Sequence, residues 1–120
     1  MDRPAPDPDC LFCRIVAGQV PATVVRESDR TLAFRDIDPK APTHALVVTR
    51  DHYRDVAELA AADPDLAAVL LAEAAAVAVD EGVATAGYRV VLNIGAQGGQ
   101  TVPHVHAHVL GGRPMTWPPG

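Results

Sequence analysis

The run His104-Val105-His106-Ala107-His108-Val109-Leu110-Gly111-Gly112 constrains this chain more than any other stretch. Three of the five histidines alternate there with apolar residues. On an extended strand successive side chains point to opposite faces. His104, His106 and His108 therefore fall on one face, and Val105, Ala107 and Val109 on the other. The apolar face fits a core. The imidazole face is a row of groups that change protonation near neutral pH, and chemistry is expected there.

The remaining elements follow in order. Residues 1–9 carry three prolines and no apolar pattern, so they read as a flexible arm. Leu11, Phe12, Ile15 and Val16 recur at helical spacing, and Gly18 ends that short helix. A strand pair is predicted at 23–27 and 31–36, joined by the turn-prone Ser28-Asp29-Arg30. Asp38-Pro39-Lys40-Ala41-Pro42 is a loop. The continuous apolar run at 45–49 marks a central strand covered on both faces. Residues 51–59 can form a turn or two of helix. Asp63-Pro64-Asp65, an acidic cap followed by proline, starts the main helix, which runs to about Glu81 and stops at Gly82. Leu66, Val69, Leu70, Val77 and Val79 spread over most of its surface, which predicts burial of more than one face, against the sheet and a second subunit. A strand at 88–94 and the turn Gly95-Ala96-Gln97-Gly98-Gly99 lead antiparallel into the histidine strand. The proline-rich tail, 113–120, is irregular. The prediction is an α+β fold, a five-stranded antiparallel sheet with one long helix and a short N-terminal helix, in a single domain over residues 10–120.

Charge and cysteine usage narrow the function. A net charge of −5 argues against a sequence-independent nucleic-acid binder, which needs a basic face, but leaves an anionic small molecule open. No apolar run reaches the ~18–20 residues of a membrane span, and Met1-Asp2-Arg3-Pro4 is no signal peptide. Cys10 and Cys13 so close together in such a chain suggest a metal or redox pair more than a structural disulfide, and a cytoplasmic location.

Three readings of the histidine strand stay open on the residues alone. The histidines can be ordinary surface or core residues. They can ligate a metal, although a rise of ~3.3 Å per residue puts His104 and His108 about 13 Å apart at the backbone, too far for one ion on a regular strand. Or a neutral imidazole can act as a nucleophile at phosphorus, with neighbouring imidazoles and the glycine-rich turn donating to phosphoryl oxygens. The last reading accounts for the histidines and the glycines together.

The triad followed by apolar residues resembles the signature of the histidine triad (HIT) superfamily. The likeness extends to Cys10-Leu11-Phe12-Cys13-Arg14-Ile15-Val16-Ala17-Gly18, Ala33-Phe34-Arg35-Asp36-Ile37, Pro42-Thr43-His44-Ala45-Leu46-Val47-Val48, Gly87-Tyr88-Arg89-Val90-Val91-Leu92-Asn93 and Trp117-Pro118-Pro119-Gly120, the pattern of its nucleotide-binding phosphoramidase branch. The resemblance implies a HIT-like fold with two subunits pairing into a larger sheet, and a zinc-containing homodimer that binds purine nucleotides. The implied activity is hydrolysis of a nucleoside phosphoramidate or related nucleotidyl compound through a nucleotidyl-histidine intermediate, releasing the nucleoside monophosphate. His106 is then the nucleophile, His108 holds the phosphate, the His104 carbonyl fixes the His106 ring and His44 backs the nucleophile. Asn93, Gly99, Gln100, Thr101 and Val102 fall on phosphate and leaving-group contacts, Asp36 on the ribose, and Phe34 and Ile37 along the base. Trp117 approaches the partner's site. His52 and His104 complete a structural Cys₂His₂ zinc shell with Cys10 and Cys13, with no metal in the chemical step. Thr101 stands where serine is common and Pro103 where an aromatic is common, which bears on the leaving group. A nucleotide-binding scaffold with incidental hydrolysis, a dinucleoside polyphosphate hydrolase of the same superfamily, and a zinc hydrolase using the triad as ligands are the alternatives.

Overall fold

The computed structural model describes residues 3–120; Met1 and Asp2, the outermost part of the expected arm, lie outside the described residues. Five strands, β1 (Val24–Glu27), β2 (Thr31–Arg35), β3 (Thr43–Thr49), β4 (Tyr88–Val91) and β5 (His106–Gly111), form one antiparallel sheet. Their order is β1-β2-β3-β5-β4, so β5 enters between the central strand and the edge strand β4. Three helices complete the fold: α1 (Leu11–Val16), α2 (Val56–Ala62) and α3 (Pro64–Asp80).

Every residue of β3 is buried, as its unbroken apolar run requires. Alternation along it feeds two cores. Ala45 and Val47 join Val105, Ala107, Val109 and the α3 residues Leu66, Leu70, Ala74 and Val77. Leu46 and Val48 join Cys10, Phe12, Cys13, Leu32 and Phe34 on the opposite face. The histidine side of β5 therefore looks toward α1, and its apolar side toward α3.

The ends of α3 are written in its sequence. The Asp63 side chain accepts from the Leu66 N–H at 3.1 Å and Pro64 takes the first position. At the other end Gly82 adopts φ +76° and the Val83 N–H returns to the Ala78 carbonyl at 3.0 Å. Burying Leu66 and Leu70 contributes about 1.5–3 kcal/mol each. Within the single chain α3 leaves part of its apolar surface uncovered: Leu71 is 52% and Val79 66% exposed. Among the described residues no helix is long and apolar enough to cross a membrane.

Several local expectations are corrected. β4 ends at Val91, and β5 begins at His106, so His104 precedes the strand. Pro103 brings no ladder N–H there. The His104 N–H turns back to Val102 (2.8 Å), and the Val105 N–H donates to the Tyr53 carbonyl (2.8 Å), away from both sheet neighbours. Residues 51–54 are irregular; the short helix starts only at Val56, capped by the Asp55 carboxylate on the Glu58 N–H at 2.9 Å. The glycine turn is a helical turn within a longer connection, with the Gln100 N–H on the Gly95 carbonyl at 3.1 Å, and not a tight hairpin. Residues 3–9 have no regular structure but are docked: Arg3 Nε donates to Asp51 at 2.7 Å, and Arg14 Nε to the Pro8 carbonyl at 2.9 Å.

Candidate active site and metal centre

Two clusters of titratable side chains form on the α1 side of the sheet. The first contains Cys10, Cys13, His52 and His104, whose ligand atoms all lie within 4.8 Å of one another. His104 is fully buried. Its Nε2–H donates to the Thr49 carbonyl at 2.7 Å, because a carbonyl can only accept. That bond leaves a bare lone pair on Nδ1, which lies 3.4 Å from Cys10 Sγ, 3.5 Å from Cys13 Sγ and 3.2 Å from His52 Nδ1. Cys13 Sγ lies 3.3 Å from His52 Nδ1. A tetrahedral zinc shell with bonds of 2.0–2.3 Å has ligand–ligand edges of about 3.3–3.8 Å, which these separations match. Burial pushes the Cys13 thiol up to about 11 and the His104 imidazole down to about 4, so both groups are neutral at pH 7 without a cation. A divalent cation reverses this for the thiol, since the ligand is the thiolate. The residues present fit zinc, which the two sulfurs and two Nδ1 atoms would hold.

The second cluster runs from Lys40 to His108, and its tautomers can be read from the backbone. The Lys40 main-chain N–H donates to His44 Nδ1 at 3.0 Å. The proton of neutral His44 is therefore on Nε2, which lies 2.9 Å from His108 Nδ1 and 3.4 Å from Asp36 Oδ2. His108 accepts at Nδ1 and in turn carries its own proton on Nε2. Burial lowers His44 and pushes His108 down to about 4, which keeps both rings neutral at pH 7. His106 is set in the opposite sense. Its Nδ1–H donates to the His104 carbonyl at 2.7 Å, leaving a lone pair on Nε2. Burial lowers its pKa too. Side by side, with ring centroids 5.0 Å apart, stand an imidazole with a free lone pair and one with a free N–H.

Asp36, His44 and His108 also bring their ligand atoms within 4.8 Å of one another. They do not suit a metal, because the His44 Nε2 proton occupies the space between them.

His106 and His108 line a cavity of about 260 Å³ together with Leu11, Phe12, Phe34, Asp36, Ile37, Leu46, Thr101 and Val102. The walls are mostly apolar, and the polar groups gather at the histidines and at Asp36, as in pockets that take a planar ring and a polar tail. Asp36 Oδ1 accepts from the Asp38 N–H at 2.8 Å, which orients the carboxylate at the cavity wall. Ile37 is fully exposed at the cavity's mouth.

The structure thus brings together most of the residues expected from sequence, with three qualifications. His44 backs His108 and not His106. Asn93, Gly99 and Gln100 stand off the cavity wall. Asn93 Nδ2 donates to the Gly98 carbonyl (2.7 Å), and Gln100 accepts from the Gly95 N–H (3.1 Å) and donates to the Arg54 (2.7 Å) and Val102 (3.0 Å) carbonyls, so both brace the glycine loop. That loop needs its glycines: a Cβ at Gly98 would sit 2.2 Å from the Ile94 carbonyl oxygen. Trp117 is 83% exposed and outside the cavity of its own chain. One residue escapes the sequence pattern: Phe12, between the two cysteines, is buried with its ring edge-on to His106 at 5.0 Å and to Phe34 at 5.6 Å. The signal that could find it is its place on the inner side of a helix that carries both thiols.

Residues 17–115 match the HIT domain family. The chain belongs to the HIT family. It is 44% identical over 116 residues to the 14 kDa zinc-binding protein of Zea mays, covering 95% of this chain and 90% of that protein. It is 43% identical over 116 residues to Adenylylsulfatase HINT1 of Arabidopsis thaliana, covering 95% and 78%. A HIT family hydrolase from Legionella pneumophila superposes with a TM-score of 0.89 at 49% identity, over 93% of this chain and all of that one.

Proposed function

We propose that this HIT protein is a nucleotidyl hydrolase that cleaves nucleoside phosphoramidates and related compounds at the α-phosphorus, with a purine nucleoside in the apolar cavity. The observation that carries this reading is the opposed tautomers of His106 and His108. His106 Nε2 attacks the α-phosphorus, the bond from phosphorus to the amine or other leaving group breaks, and the leaving group departs with a proton taken from water. The His108 Nε2–H hydrogen-bonds a phosphoryl oxygen, where charge develops. Water then attacks the nucleotidyl-imidazole, releasing the nucleoside monophosphate and regenerating His106. Asp36 accepts from ribose hydroxyls, Phe34 and Ile37 flank the base, and Thr101 and Val102 border the phosphate. Asn93, Gly99 and Gln100 act by shaping the loop beside it. The activities named for the relatives, an adenylylsulfatase and a hydrolase, support the reaction class.

Zinc in the Cys10–Cys13–His52–His104 shell is structural in this reading. The name of the maize relative supports the metal, and the free thiols suit a reducing cytoplasm. We further infer a homodimer formed through the outer face of α3 and the β4 edge. Leu71 and Val79 on α3 and Val90 on β4 are exposed in the single chain, which supports it. Trp117 then approaches the partner's cavity. The test of the activity is turnover of an adenosine phosphoramidate by wild type and His106→Ala. A loss of more than about a thousandfold with the fold intact is expected. Equal rates would refute the assignment.

A further inference from the structure

The metal shell and the nucleophile are joined through two short connections. His104 takes part in both sites: its ring offers Nδ1 to the shell, and its own main-chain carbonyl accepts from His106 Nδ1–H at 2.7 Å. Phe12 is the second link. It is carried between the two thiols on α1, and its ring meets the His106 ring edge-on at 5.0 Å and the His104 ring at 5.9 Å. A six-residue helix is far below the length that holds itself together. The polar contacts that tie residues 10–20 to the sheet are those of the two thiols with His52 and His104. Leu11, Phe12 and Ile15 of the same helix form part of the cavity wall.

We propose that the metal-loaded Cys10–Cys13–His52–His104 shell acts as a clamp that positions the nucleophile, with Phe12 and the His104 carbonyl as the two positioning contacts on His106. The inference rests on the reading of His106 as nucleophile. Loading draws α1 and the His104 segment onto one point. Phe12 then walls one side of the His106 ring while the carbonyl holds its Nδ1 proton. Without the cation α1 is held only by apolar packing and the thiol–imidazole contacts, the ring gains freedom, and the lone pair on Nε2 is no longer aimed at the cavity. The shell thus sets the fraction of chains competent for turnover while touching no substrate atom. Small misplacements of a reacting group cost up to about a hundredfold in rate, so a clamp of this kind is a strong control.

The direct readout is the tautomer of His106, from long-range ¹H–¹⁵N correlation spectra of the full chain, zinc-replete and zinc-stripped. Replete protein is expected to show one Nδ1–H tautomer, and stripped protein averaged ring shifts. Unchanged His106 shifts in a stripped chain that stays folded by circular dichroism would overturn the proposal and leave the shell with a stabilising role only. In case stripping unfolds the chain, Phe12→Ala and Phe12→Leu in zinc-replete protein give a second arm with the shell intact. Phe12→Ala is expected to average the His106 ring shifts and lower kcat at least about tenfold. Phe12→Leu recovers much of that rate by refilling the wall. A Phe12→Ala variant with unperturbed His106 shifts and a change in KM alone would show a residue that only lines the cavity. Intact-mass analysis separates the two levels: His106 shifts that follow metal loading in a protein that never forms an adduct uphold the clamp and refute the nucleophile.

Discussion

His104 and His108 stand four residues apart on the same side of one sheet, and the clusters they anchor use the same ring in opposite ways. Around His104 two sulfurs and two Nδ1 atoms converge, and the His104 ring keeps its own proton on the far nitrogen. Around His108 each contact holds a proton: the Lys40 N–H donates to His44 Nδ1, and the His44 Nε2–H donates to His108 Nδ1. Both sets bring their ligand atoms within 4.8 Å of one another, so proximity does not tell them apart. A single backbone partner does. The Thr49 carbonyl accepts from His104 Nε2 and bares Nδ1 toward the thiols; the Lys40 N–H donates to His44 Nδ1 and forces the proton onto Nε2. A histidine cluster is a metal site or a proton-bearing site according to which main-chain group meets the far nitrogen.

The largest effect that would sharpen this contrast is metal removal. At a thousandfold excess over its Kd a bound ion contributes about 4 kcal/mol to stability. Chelation is therefore expected to lower Tm by about 10 °C or more. Cys13→Ser should abolish that response, whereas His44→Asn should keep it. A chelation-sensitive Tm that is lost in His44→Asn would place the metal in the wrong cluster.

Next in size is the relay. Replacing His44 by Asn removes the N–H that fixes the His108 tautomer. We expect kcat to fall about a hundredfold, within the range of general acid–base effects, with metal content unchanged when assayed by atomic absorption. A loss of zinc in that variant would merge the two clusters into one.

Acid acts on the relay with a smaller and graded effect. His108 carries a folded pKa pushed down to about 4 by burial, against 6.5 for the free group. Between those values the unfolded chain binds a proton that the folded chain refuses. This contribution to stability is therefore complete above pH 6.5 and is lost as pH falls toward 4. Turnover also needs His106 neutral, and burial lowers its pKa too, so the rate should hold through pH 6.5 and decline only in more acid solution. Denaturant midpoints and rates measured in parallel test this. Activity that halves near pH 6.5 would mean that the relay rings are solvated.

Much of this arrangement is legible in the amino-acid sequence. The alternation of His106 and His108 with Ala107 and Val109 follows from the two-residue repeat of a strand packed on a core. The Asp63-Pro64 start and Gly82 stop of α3 follow from capping chemistry. What the alternation does not convey is the departure of His104 from the strand. That depends on the Val105 N–H finding Tyr53, a partner some fifty residues away whose position only the closed sheet defines. The partner of His44 is hidden for a similar reason. Its ring reaches along β3 to His108 because Leu46, not His44, is paired with His108 in register. Asn93 and Gln100 look like ligands for phosphate in sequence, and bonds inside the loop take up Asn93 Nδ2 and both polar atoms of the Gln100 amide. Phe12 reads only as an apolar helix position, since no pattern within α1 shows that a histidine from β5 will pack against it.

The division of labour among the three histidines stands or falls with the nucleophile. Rapid-quench intact-mass analysis of the protein mixed with an adenosine phosphoramidate, followed by peptide mapping, measures it directly. The account predicts a transient increase of one adenylyl group, carried by His106 and abolished in His106→Ala. An adduct on His104 or His108, or turnover with no adduct on any histidine under conditions that trap one, would contradict it.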